Sequence, residues 1–195
     1  PVTVTVCGPG AGRAERRLKR LLAGVRPERL IFLGIAGGLS PTLAVGDLVQ
    51  ASEVVGPGGE RFRPTAPAWI SAARPGTLAT APRVLVRAAE KAELWERLGR
   101  PAVAAVDMET AVWARLADRH TVPWAALRAI SDPAEESLPL DFNRYLDAEG
   151  GVSGLRVALA ALPRPVRMAR LLDLRRRLRR VAELLADAAV EAIGG

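Results

Sequence analysis

The sequence predicts an α/β protein, a single three-layer domain over residues 1–195 with a mixed, mostly parallel central sheet and flanking helices. Three observations predict it. Short apolar runs bounded by turn residues alternate with stretches of helical periodicity, the pattern of strand–helix–strand units. The chain has 195 residues, 49% of them hydrophobic, which suits one domain with a sizeable core. No internal repeat or linker divides it.

In chain order, Val2 to Val6 alternates valine with threonine, the period of a strand, and ends in the turn Cys7-Gly8-Pro9-Gly10-Ala11-Gly12. A helix follows with Leu18, Leu21, Leu22 and Val25 on one face. Leu30 to Ile35, ahead of Gly37-Gly38, reads as a buried strand, and Val45 to Val55 as another after the Pro41 turn. Gly56 to Pro75 is rich in Gly and Pro and reads as an irregular loop. Helical periodicity returns from Val84 to Leu98. Ala102 to Val106 then reads as a strand, Met108 to Ala117 as a helix and Trp124 to Ile130 as a strand. Beyond Asp132 the pattern is helical, broken at Pro139, Pro163 and Pro165. A final helix, about residues 166–193, packs through Leu171, Leu174, Leu178, Val181 and Leu185.

Composition excludes several classes. No run of eighteen uncharged apolar residues occurs, so no membrane-spanning helix is expected, and the start lacks the basic region of a signal peptide. The single cysteine, Cys7, precludes an internal disulfide and suits a reducing cytoplasm. With one cysteine and one histidine, no zinc site of Cys and His ligands can form, and no carboxylate metal motif is present. The net charge of +7 is local: residues 164–180 hold eight arginines and one acid, and the remainder is neutral. A domain-wide nucleic-acid surface is therefore not expected. The Arg-rich helix reads as a solvated face, with weak attachment to an anionic membrane surface as the sharper reading.

Four segments end strands with small or polar residues, where open α/β sheets bind ligands. Cys7 to Arg13 fails as a dinucleotide fingerprint, because Arg13 stands where glycine is needed, and it lacks the lysine of a phosphate loop. It serves as a tight turn or as a phosphate or ribose contact. Gly34-Ile35-Ala36-Gly37-Gly38-Leu39 lets backbone approach a ligand or simply turns. Asp107-Met108-Glu109 and Ser131-Asp132 each stand ahead of a predicted helical segment, where acids and serine are ordinary caps.

Taken in order, Gly34-Ile35-Ala36-Gly37-Gly38-Leu39, Pro41-Thr42-Leu43-Ala44-Val45-Gly46-Asp47, Val106-Asp107-Met108-Glu109 and Arg128-Ala129-Ile130-Ser131-Asp132 resemble signatures of a known family. It is the methylthioadenosine/S-adenosylhomocysteine nucleosidase family, within the superfamily of purine nucleoside phosphorylases. The resemblance covers almost the whole chain. Ser131 to Pro139, Lys91 and the Arg-rich end are most similar to its hopanoid-associated nucleosidase branch.

The resemblance implies a nucleoside-phosphorylase-like fold and cleavage of a purine ribonucleoside. It also implies a homodimer and no metal or organic cofactor. It implies Asp132 as the acid that protonates the departing base, and Glu109 as the carboxylate that grips the ribose. Met108, Ala36 and Gly37 would also meet the ribose, and Val84, Leu85, Val106 and Ser131 the base. Breaking an N-glycosidic bond leaves negative charge on the purine, which a positioned acid neutralises. The family's usual N-terminal strand, and the glutamate thought to activate water, would lie ahead of Pro1. Glu15, Glu53 and Glu60 are candidate substitutes without a motif. Phosphorolysis and purine binding without turnover stay open beside hydrolysis, and Arg13 is a possible phosphate ligand. His120 reads as a surface turn residue, Asp47 as a loop-ordering residue, and Trp113 and Trp124 as core or interface.

Overall fold

The structure, a computed structural model, describes residues 2–66, 70–145 and 165–194. Its elements are α1 (Ala11–Gly24), β1 (Leu30–Gly38), β2 (Leu48–Val55), β3 (Arg61–Phe62), β4 (Arg74–Thr80), α2 (Ala88–Arg97), β5 (Ala104–Asp107), α3 (Thr110–Arg119) and β6 (Trp124–Asp132). A 3-10 turn (Phe142–Tyr145) and α4 (Pro165–Gly194) follow. The sheet order is β3-β2-β4-β5-β1-β6, and β2 also pairs with β6, so five strands curl into a closed ring. The long pairings, β1–β6, β2–β4 and β4–β5, are parallel. The antiparallel ones involve two or three residue pairs each.

The α/β class and mixed sheet are as the sequence predicts, but the N-terminal segment is not. Val2 to Val6 forms no strand, and Val2, Val4 and Val6 are 62%, 81% and 80% exposed. Alternation makes a segment fit to pair, yet a strand also needs a free edge, and β1 is flanked by β5 and β6.

The Gly56 to Pro75 loop contains β3 and runs into β4, which the sequence reading missed. Pro75 and Gly76 look like breakers. Here Gly76 is required by close packing, since a Cβ would lie 2.6 Å from Val103 Cγ1 and 3.0 Å from Val49 Cγ1. The helix expected from Val84 begins only at Ala88, because the arm before α2 is extended and Glu90 caps the amides of Val86 and Arg87. After Asp132 the described chain is irregular to Asp141 rather than helical, Pro133 and Pro139 being poor helix formers. Pro165 is the first residue of α4, a position where proline is tolerated. Residues 146–164, with the break expected at Pro163, lie outside the described residues.

Helix α3 begins because Asp107 accepts the Thr110 amide through both carboxylate oxygens, at 3.3 and 3.2 Å. Its buried face, Thr110, Ala111, Trp113, Ala114, Leu116 and Ala117, has the spacing of one helical stripe. Alanines at 111, 114 and 117 let it sit close to the sheet. Phe32 stacks on Trp113 at 5.3 Å between centroids and tilts against Trp124 at 5.9 Å, so both tryptophans are core residues. Every residue of β6 is buried. Helix α4 packs on β6 and β1 with Leu174, Val181 and Ala188 buried and Leu171, Leu178 and Leu185 half-buried.

Candidate active site

The site grows from one irregularity. Strands β1 and β6 run in parallel register from Leu30↔Trp124 to Ala36↔Ile130, and then Gly37 pairs with Asp132. Ser131 is the extra residue of this bulge. A bulge turns a strand and re-aims its side chains. Here the Ser131 hydroxyl lies 3.2 Å from Ala36 O and 2.6 Å from Asp132 Oδ1. On its other edge Gly37 pairs with Val106 of β5. One glycine thus brings the ends of three strands together, with Asp132 on one side and Val106-Asp107-Met108-Glu109 on the other. A Cβ on Gly37 would lie 3.1 Å from Asp132 Oδ2, so the carboxylate lies directly against the glycine.

The two acids of the Asp107-Met108-Glu109 motif have separate tasks. Asp107 is buried in structure: besides capping α3, it accepts from Thr80 Oγ1 at 2.9 Å and from Arg128 Nε at 2.8 Å. Glu109 turns instead toward the N-terminal segment, where Oε1 accepts the Gly10 amide at 2.6 Å. The Met108 amide approaches Oε2 at 3.3 Å. Burial, then the Asp107 carboxylate, pushes the Glu109 carboxyl above its ordinary value. The Gly10 turn is therefore tied to Glu109 through its backbone. Gly10 has φ 98°, a conformation open chiefly to glycine. Arg13 folds back over Gly8, its Cδ 3.0 Å from where a Gly8 Cβ would be.

Arg128 is the cation of this cluster and is 1% exposed. Its guanidinium donates to Asp107, to Phe32 O at 2.8 Å, to Leu127 O at 2.9 Å and to Thr110 Oγ1. It also lies over the Trp113 ring, 5.4 Å from the centroid. Gly34 makes room for it, since a Cβ there would come within 3.2 Å of Arg128 Cζ. Four elements are tied by this one side chain.

The remaining expected site residues divide. Leu85 packs on the same small cluster as Val106, with Leu39, Ala79, Ala81 and Ala104. Val84 has both backbone groups engaged by Asn143: its amide donates to Oδ1 at 2.9 Å and its carbonyl accepts from Nδ2 at 3.0 Å. Glu15 pairs with Lys19, Glu53 with Arg61, and Glu60 lies beneath Gly56 and Gly58. His120 is exposed at the end of α3, and Asp47 accepts the Ala44 amide at 3.0 Å within its loop. No cluster of metal-ligating side chains occurs among the described residues, and no described helix is long and apolar enough to cross a membrane.

Sequence reasoning assigned no role to Lys91, which is buried against Asp132, or to Arg128. A signal for both was present. Lys91 stands three, four and seven residues before Leu94, Trp95 and Leu98, the apolar stripe of α2, and Arg128 interrupts an otherwise apolar strand. A charge in an apolar stripe is expected to have a buried partner.

Together these observations define an α/β protein whose curled, mixed sheet holds Asp132 at the end of β6 and Glu109 just past the end of β5. The chain belongs to the Phosphorylase superfamily, whose family model matches residues 1–70 and 69–162. It is 27% identical to the 5′-methylthioadenosine/S-adenosylhomocysteine nucleosidase of Mycobacterium tuberculosis over 210 residues, covering 82% of this chain and 81% of that protein. The enzyme of that name from Shewanella sediminis is 28% identical over 183 residues, covering 80% and 79%. Among solved structures, the fold matches the corresponding nucleosidase of Neisseria meningitidis in complex with methylthio-immucillin-A. That match has TM-score 0.60 and 24% identity, covering 72% of each chain. Futalosine hydrolase of Helicobacter pylori matches with TM-score 0.58 and 18% identity, covering 73% of this chain and 71% of that one.

Proposed function

We propose that the protein hydrolyses the N-glycosidic bond of a purine ribonucleoside, with a 5′-modified adenosine as substrate, and releases the free base. The observation that carries this reading is the Gly37 junction. It sets the Asp132 carboxylate directly against Gly37, where a side chain would crowd it, with Glu109 just past the end of the neighbouring strand. The relatives named as nucleosidases support the same reaction class.

In this reading Asp132 delivers a proton to purine N7 while the C1′–N9 bond breaks and its electron pair passes to the base. Glu109 accepts hydrogen bonds from the ribose hydroxyls. Its carboxylate, oriented by Gly10, lies near the positive charge that develops on the sugar. Met108 and the backbone at Ala36 and Gly37 border the ribose, and Leu85, Val106, Val84 and Ser131 border the base. Water adds to C1′ from the opposite side. The homodimer and the contact of the Arg-rich α4 with an anionic membrane surface belong to the same reading.

The test is incubation of the protein with 5′-methylthioadenosine, adenosine and inosine, with and without phosphate, while free base is measured. Phosphate-independent release of adenine is expected. Release strictly dependent on phosphate would assign phosphorolysis, and binding of adenine with no release from any nucleoside would overturn the enzymatic reading.

A further inference from the structure

Lys91 is a deeply buried ionisable group that the reaction above does not use. It is 1% exposed, and lysine is almost never fully buried without a partner. Its ammonium donates to Asp132 Oδ2, to Pro133 O at 2.8 Å and to Glu136 O at 3.1 Å. These three acceptors match the three donors of a charged lysine. Two are carbonyls that anchor the nitrogen. The third direction points at the carboxylate proposed to protonate the base.

Ser131 completes the arrangement. Its hydroxyl has one hydrogen, yet it lies within hydrogen-bond distance of both Ala36 O and Asp132 Oδ1. Beside an ionised Asp132 it donates to Oδ1. Beside a protonated Asp132 it accepts from Oδ1 and turns its hydrogen to Ala36 O. The surroundings therefore satisfy Asp132 in either protonation state.

Resting on the hydrolase reading, we propose that Lys91 is a positioning residue for Asp132 that also stores the proton delivered to the base. The Lys91–Asp132 pair holds one proton more than the carboxylate and free amine together. As C1′–N9 breaks and its electron pair enters the purine, that proton passes through Asp132 to N7. This leaves a carboxylate and a neutral amine, whose two remaining N–H groups still meet Pro133 O and Glu136 O. The water that adds to C1′ releases a proton, which restores the ammonium. Proton count and charge balance over the turnover.

Other charged groups around the pair are already engaged. On α2, Glu90 is held by Arg83 and Arg87. Beyond β6, Glu136 pairs through its carboxylate with Arg177 of α4, which also meets Asp173. Past β5, Asp107 pairs with Arg128, and Glu109 faces Gly10.

The experiment compares the wild-type chain with Lys91→Met and Lys91→Arg from pH 5 to 9. It measures kcat and KM for 5′-methylthioadenosine and, separately, the affinity for adenine. The wild type is expected to be flat between pH 6 and 8. Lys91→Met should lose kcat progressively as pH rises across the range, since without the stored proton Asp132 must draw its proton from solvent, where the supply falls tenfold per pH unit. Its adenine binding should weaken over the same range. Lys91→Arg keeps the cation but cannot release a proton, so it should be slow throughout. A Lys91→Met profile parallel to the wild type, or Lys91→Arg as fast as lysine, overturns the proposal. If Lys91→Met does not fold, the Arg variant decides. Should the wild type bind adenine without turnover, the hydrolase reading fails, while the pH dependence of adenine binding still judges Lys91.

Discussion

The Gly10 amide donates to Glu109 Oε1 at 2.6 Å, joining residues 99 positions apart in the chain. The bond links the turn before α1 to the residue that opens α3, so the N-terminal segment reaches Glu109 without entering the sheet. It also orients a carboxylate whose burial is unfavourable.

That burial has a pH signature. The folded-state pKa of Glu109 is raised, mainly by burial, so the native protein binds its proton more tightly than the unfolded chain does. The contribution of Glu109 to stability therefore falls as pH rises from its ordinary carboxyl pKa through the raised one. Glu109→Gln removes the charge and should raise the melting temperature of the ligand-free protein more at pH 8 than at pH 5. Affinity for nucleoside should drop while affinity for free adenine changes little. Equal shifts at both pH values would contradict this account.

Gly10→Ala tests the other partner. The residue adopts φ 98° and ψ 136°, strained for any side chain, with a cost of about 1–3 kcal/mol. A lower urea midpoint is expected, together with a raised KM, because a shifted turn moves the amide that orients Glu109. An unchanged KM would show that the turn does not shape the site.

Gly37→Ala places a methyl 3.1 Å from Asp132 Oδ2. That carboxylate is already held by Ser131 and Lys91, so it has little room to yield. Displacement of a few tenths of an ångström should lower kcat by about four- to tenfold, given that a 1 Å misplacement costs on the order of a hundredfold. Steady-state kinetics beside a melting curve would separate this from general destabilisation.

Arg128→Met should damage folding rather than chemistry. It leaves Asp107 buried without its cation, and breaking a buried pair in this way costs about 3–5 kcal/mol. Arg128→Lys should rescue little, because a single ammonium cannot meet Asp107, Thr110, Phe32 O and Leu127 O at once. Chemical denaturation checks both, and a near-native midpoint for Arg128→Met would refute the structural role.

Asp132→Asn removes the proton donor while keeping the shape. A loss of two to four powers of ten in kcat is expected, the range of general acid catalysis. Turnover at the wild-type rate would remove Asp132 from the mechanism.

Much of this architecture was legible from the residues in order. Apolar strands such as Trp124 to Ile130 and the apolar stripes of α1, α3 and α4 follow from local periodicity, which needs no knowledge of partners. Val25, expected on the α1 stripe, instead lies past the helix end and is exposed. The motifs at Gly37, Glu109 and Asp132 were visible for the same reason: each is a short run at a strand end. What local pattern cannot carry is pairing. Val2 to Val6 has strand periodicity yet joins no sheet, whereas Arg74 to Thr80, with Pro75 and Gly76 inside it, is a strand because its neighbours pack close enough to demand glycine. Tertiary structure also decided the charges. Asp107 and Glu109, two residues apart, differ in role because one faces Arg128 and the other Gly10. Lys91 matters only because α2 sets it beneath Asp132, 41 residues along the chain. Burial makes an ionic group depend on its neighbours in space, and those neighbours are distant in sequence.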